Sequence, residues 1–283
     1  MISSEEEEQQ RSYNAEYIAW LQIAAKGIAA SLKTLDPTRI NDIIAFYEEY
    51  LAHPASMHVP LEASEEETIG QLVGNDRIKN IMLLKTKAFI FAPSFLAPYA
   101  GSLDYGTAMY RRYPLHGLWF SVIALNEAYL TSATKSMLRY MLEHELAQGE
   151  IYAELAMHQI KILSLEMKGV IHEEARMKAI QWACISTEEV NQERALILEL
   201  SARNPLVPVH FASASLFRYL EENWEPVKQF GLASQNEREK ELEIPLEKLV
   251  EWSDFSVYAF RIFLKDLKKE LTTTGAEYGI EIV

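Results

Sequence analysis

The run His144-Glu145-Leu146-Ala147-Gln148 places three side chains with lone pairs inside five residues. Residues four apart in a helix project from one face, so His144 and Gln148 could grip one ion between them. The intervening Glu145 would stand beside a metal-bound water, where a carboxylate can take up a proton. Gln148 is the weak member, because a neutral amide is a poor zinc donor beside an imidazole. Helical spacing at about 100° per residue puts Met137, Met141, Ile151 and Leu155 within about 60° of His144, with Gln148 about 40° away. Lys135, Arg139, Glu143, Glu150, Glu154 and Lys161 mark a charged face on the other side, and Glu145 falls near Leu138 and Tyr152. His144, Gln148 and Glu145 are therefore expected to point inward among apolar residues. Buried polar groups are costly unless paired, so a shared partner is expected.

The five residues have the spacing of the zinc-binding H-E-x-x-H helix, with glutamine at the place of the second histidine. They follow a strand-like run ending in IALNEAYL, Ile123 to Leu130, read here as an edge strand. That order resembles small gluzincin metallopeptidases over roughly residues 117 to 180. The resemblance implies a bound Zn²⁺, hydrolysis of a peptide or amide bond with Glu145 as general base, and a third ligand from a glutamate on the following helix. Here that helix begins Val170-Ile171-His172-Glu173-Glu174, and Glu173 comes 29 residues after His144. Glu173 lies beside Met177, Ile180 and Cys184 on the wheel, Glu174 turns toward Lys178 and Gln181, and His172 competes from the apolar side. The candidate metal set is thus His144, Gln148, Glu173 and His172, with Glu145 catalytic. Three outcomes stay open: Gln148 leaves a weakened site, His172 supplies the absent imidazole, or the metal is gone and the fold remains. The competing reading is a non-catalytic helical scaffold that binds a protein partner and holds no metal. A pocket lined by Trp119, Tyr129, Tyr140 and Tyr152 is permitted but carries no spacing signal.

The elements that must position these residues read as a mainly α chain with a small β-sheet, an α+β arrangement. Tyr13, Tyr17, Trp20, Leu21, Ala24, Ile28 and Leu32 repeat at helical spacing, and Asp36-Pro37 opens a second helix to about Leu51. Ser64 with Glu67 reads as a capping box for a third. Lys87–Phe95 and Gly117–Asn126 are short, aromatic and β-branched, hence strands, and 98–114 between them reads as loop. One helix is expected from about Ala133 to Lys168 with Gly169 as its stop, then another to Ala183. Ser186 with Glu189 caps the next. Helices follow at about 211–223 and 225–229, SQNEREKELE at 234–243 reads as a linker, and Pro245 opens a last helix. The divisions are an N-terminal helical segment 1–75, a central zincin-like α+β region 76–232, and a C-terminal helix and tail 233–283 packed on the same domain.

Composition narrows the classes. Lys and Arg number 27 against 41 Asp and Glu, a net charge of −14, which repels phosphate backbones and argues against nucleic-acid partners. The lone Cys184 excludes an internal disulfide and a cysteine zinc cluster. The opening MISSEEEEQQ has no signal-peptide pattern, and the longest uncharged run, 88–103, is broken by Pro93, Pro98 and Gly101, so no membrane association is expected. A cytoplasmic protein acting on a peptide or protein is the expectation. No histidine has glutamate three residues before it, so the Glu-x-x-His di-iron bundle is excluded in its usual form.

Overall fold

A computed structural model of the chain describes residues 4–32, 37–93, 103–154, 165–234 and 246–277. Helices α1 (Ser4–Leu32) and α2 (Pro37–Ala52) lead to β1 (His58–Pro60), α3 (Ala63–Val73), α4 (Asn75–Ile78), β2 (Ile81–Thr86) and β3 (Phe89–Pro93). Then come β4 (Leu103–Gly106), β5 (Ala108–Leu115), β6 (Leu118–Asn126), α5 (Glu127–Ser132), α6 (Lys135–Glu154) and α7 (Leu165–Ala183). The chain continues through α8 (Thr187–Ser201), β7 (Leu206–Pro208), α9 (Val209–Glu222), α10 (Trp224–Ser234) and α11 (Leu246–Glu277). The molecule is mainly α with two small sheets, as its periodicities require.

The first sheet runs β1-β2-β6-β5 and the second β4-β3-β7. β6 pairs parallel with β2 on one side and antiparallel with β5 on the other. It is therefore an interior strand and not the expected edge, and its Val122 to Leu125 run is buried throughout. The edge beside it is β5, which lies in the stretch expected to be loop. β5 turns into β6 at His116-Gly117, where φ is +51° and +76°. Two positive φ values in a two-residue hairpin match the right-handed strand twist, and glycine takes that conformation without strain.

α1 packs along α11 and both face the core, burying Leu21, Ala25, Ile28, Phe260, Phe263 and Leu267. α9 touches strands of both sheets, β1 and β5 of the first and β3 and β7 of the second, and is buried from Phe211 to Phe217. Several local expectations are corrected. The capping box of α3 is formed by Glu62 with Glu65, not Ser64 with Glu67. The Ser186–Glu189 box of α8 is present. The long helix expected to 168 is described as α6 to Glu154, and α7 begins at Leu165 and runs through Gly169, which is no stop. Residues 155–164, including His158, and the linker at 235–243 lie outside the described residues. Glu143, assigned to the charged face, is 2% exposed, because Arg77 pairs with it at 2.6 Å from α4. No described helix is long and apolar enough to cross a membrane.

Candidate functional site at the α6–α7 contact

α6 packs on α7 and on β5, with further contacts to α3 and α8. On the α7 side, the rings of His144 and His172 stand 4.7 Å apart between centroids, steeply tilted at 63°. Gln148, one turn beyond His144, puts its amide nitrogen 2.8 Å from His144 Nε2 and 3.3 Å from His172 Nδ1. His144 and Gln148 are half-buried and His172 sits at the rim. Burial first, then the neighbouring His172, pushes the His144 pKa down to about 3. The His172 pKa is also lowered, by burial first, against the opposing charges of Asp104 and Glu173. Both rings are therefore held neutral, and each keeps a nitrogen lone pair for a donor or a metal. The Gln148 NH₂ donates to both and occupies the point where two imidazole lone pairs converge.

The remaining candidates go elsewhere. Glu173 lies close enough for its charge to act on both imidazoles, yet its two oxygens accept from Arg176 at 2.6 and 2.8 Å. That exposed fork holds the Glu173 carboxyl below its usual range. Glu145 is 7% exposed and faces β5, where its Oε2 accepts the Tyr110 N–H at 2.6 Å. Burial pushes its pKa up to about 7, opposed by that N–H and by the Arg111 charge. Arg111 Nη1 donates to the Tyr110 carbonyl at 2.8 Å. The main-chain groups that Tyr110 turns outward at the sheet edge are thus both taken by side chains, which blunts the edge. Gly149 completes the fit, since a Cβ there would lie 2.8 Å from the Tyr110 ring.

The structure therefore brings together His144, Gln148 and His172 and leaves out Glu173 and Glu145. Among the described residues no group of three His, Cys, Asp or Glu side chains is arranged to hold a metal. The zincin ligand set does not fit this geometry: one carboxylate is bound by arginine and the general base is bound to a strand. The four aromatic residues do not assemble as a pocket either, for Trp119 packs against Arg112 at 5.2 Å while Tyr129 donates to Glu193.

Three polar residues escaped the sequence reading. Glu193 is 5% exposed, accepts from Tyr129 Oη at 3.0 Å, and has its pKa pushed up to about 7 by burial. His58 is buried beside Ser215 Oγ at 2.8 Å, and burial pushes its pKa down to about 3. Arg111 lay in a stretch read as loop, so nothing in its spacing marked it. No family model, no curated protein and no solved structure matches the chain.

Proposed function

We propose that this chain is a degenerate zincin-like protein that holds a divalent transition metal through His144 and His172 without hydrolysing peptides. The convergence of two neutral imidazole nitrogens on the Gln148 amide carries the reading. Imidazole suits Zn²⁺, Cu²⁺ and Ni²⁺, and a metal drawn to this point would displace the amide N–H₂ or meet the amide oxygen after rotation of the side chain. Two strong donors make a weaker site than three. The absence of turnover follows from Glu145, whose carboxyl is committed to the Tyr110 N–H and diverges from the imidazoles.

The test is an assay of peptide hydrolysis on zinc-supplemented protein against a mixed peptide pool. Turnover no higher than that of His144→Ala is expected. Turnover abolished by both His144→Ala and Glu145→Gln would establish the hydrolase instead. A second reading has one observation behind it: the Gln148 NH₂ already meets the acceptor nitrogen of each imidazole, so the three side chains hold one another without any metal. On that reading the protein is a helical scaffold for a protein partner, and zinc binding is absent from wild type and His144→Ala alike.

A further inference from the structure

The parallel pair β2 and β6 ends with Thr86 opposite Asn126, and β1 sets His58 opposite Thr86 on the other side. Residues at paired positions of neighbouring strands point to one face of their sheet. That face is the one α9 covers. His58 Nε2 lies 2.8 Å from Ser215 Oγ of α9. Tyr113, paired with Phe120 on the same face of β6, donates to the Ser213 carbonyl at 2.6 Å. Three polar side chains therefore stand side by side across the sheet, where β6 otherwise presents Phe120, Val122 and Ala124. Thr86 is 0% exposed, Asn126 1% and His58 3%.

The His58 ring is already bonded to α9, at Ser215 Oγ and at the Ala212 carbonyl, with Nδ1 alone unpartnered. Asn126 uses one half of its amide. Its Oδ1 accepts the Tyr129 N–H at 2.9 Å and caps α5, which fixes Nδ2 as the other end. Asn126 Nδ2 and Thr86 Oγ1 are both enclosed, and neither has a hydrogen-bond partner among the described residues, each other included. Such groups are rare, because each bears the cost of leaving water with nothing in return. Two of them at adjacent register positions point to one shared partner.

We propose that Thr86 Oγ1 and Asn126 Nδ2 bind one internal water, which ties the end of β2 to the cap of α5. Adjacent strands lie about 4.8 Å apart, beyond a direct bond but close to the span of two bonds of about 2.8 Å that meet at a water. The water oxygen accepts from the Asn126 NH₂ and one water hydrogen is donated to Thr86 Oγ1. An anion would lie on this face without a countercharge, since Thr86 and Asn126 are neutral and burial keeps His58 neutral. A cation is refused by the donor NH₂. Exposure of 3% or less at all three positions leaves no entry for an organic ligand. No residue of the α6–α7 contact takes part, so this site and the metal reading fail separately.

The experiment compares the full chain with Thr86→Val and Thr86→Ser by thermal unfolding and by water-to-protein cross-relaxation at the Asn126 side-chain NH₂ resonances. A water held for longer than the tumbling time gives cross-relaxation of the same sign as contacts within the protein. That signal is expected in wild type and in Thr86→Ser, which keeps the hydroxyl, and should vanish in Thr86→Val. The direction of the stability change in Thr86→Val separates the two cases, because valine puts a methyl where the hydroxyl was. A bridging water would lose one partner and leave Asn126 Nδ2 bare, so the melting temperature should fall. A hydroxyl that binds nothing would only be relieved, and the melting temperature would rise. A rise in Thr86→Val, no cross-relaxation at Asn126 in wild type, or the same cross-relaxation in a folded Thr86→Val would each overturn the assignment.

Discussion

The two sides of α6 carry adjacent residues of one motif and put them to different uses. On the α7 side, His144 and Gln148 meet His172 in a half-buried contact, joined by the Gln148 amide. On the β5 side, Glu145 and Gly149 are locked to Tyr110, one through its amide and the other through its ring. The spacing of a motif fixes which helix face a residue takes. The element packed on that face then fixes what the residue can do. Here the imidazole faces another imidazole across a helix contact, while the carboxyl faces a strand edge and accepts its N–H.

The largest effect should come from the packed side. Gly149→Val places a branched side chain against a Tyr110 ring that is 6% exposed and pinned by Ser121 at 3.2 Å. Destabilisation of about 3 kcal/mol in denaturant unfolding is expected. An effect near zero would mean that β5 does not press on α6 here.

Next is the pH dependence contributed by Glu145. Its folded pKa of about 7 lies above the usual 4.5, so the folded state binds the extra proton between those values. Wild type should therefore lose stability relative to Glu145→Gln as pH rises from about 4.5 to about 7, by up to roughly 3 kcal/mol, and run parallel above that. Glu193 shifts the same way and His144 the opposite way, but both are present in the two proteins and cancel in the difference. Curves parallel throughout would show that Glu145 titrates as an ordinary surface acid.

On the α7 side His144→Lys sets an ammonium against His172 and near Arg176, with Glu173 already bound, and should cost about 1–2 kcal/mol. An unchanged melting temperature would mean that the ring is not enclosed between the helices. The smallest effect sharpens the comparison: Gln148→His should raise zinc affinity by about tenfold, which is about 1.4 kcal/mol, without altering the pH profile assigned to Glu145.

Much of this fold was legible because its signals are local. The apolar spacing of α1 and the β-branched run of β6 survive into the structure with small changes at their ends. β5 was hidden by its place at the edge. Tyr110-Arg111-Arg112-Tyr113-Pro114 carries two charges and a proline, the residues that protect an exposed strand and make it resemble a loop. The interior position of β6 followed from that same hidden strand. In the site, the wheel placed His144 and Gln148 on one face correctly but could not show which element would cover Glu145. The pairing of Glu173 with Arg176 was readable after all. Arg176 follows it by three residues, a spacing at which the two side chains meet on a helix surface. Glu143 was misplaced because its counter-charge, Arg77, is 66 residues away in sequence and no periodicity reports it.

The most direct measurement is a calorimetric zinc titration of wild type beside His144→Ala, His172→Ala and Glu173→Ala. Saturable binding should appear in wild type, vanish in both histidine variants, and persist in Glu173→Ala, since that carboxylate belongs to Arg176. Binding that survives His172→Ala but is lost in Glu173→Ala would contradict the account and restore the ligand set of the metallopeptidases the sequence resembles.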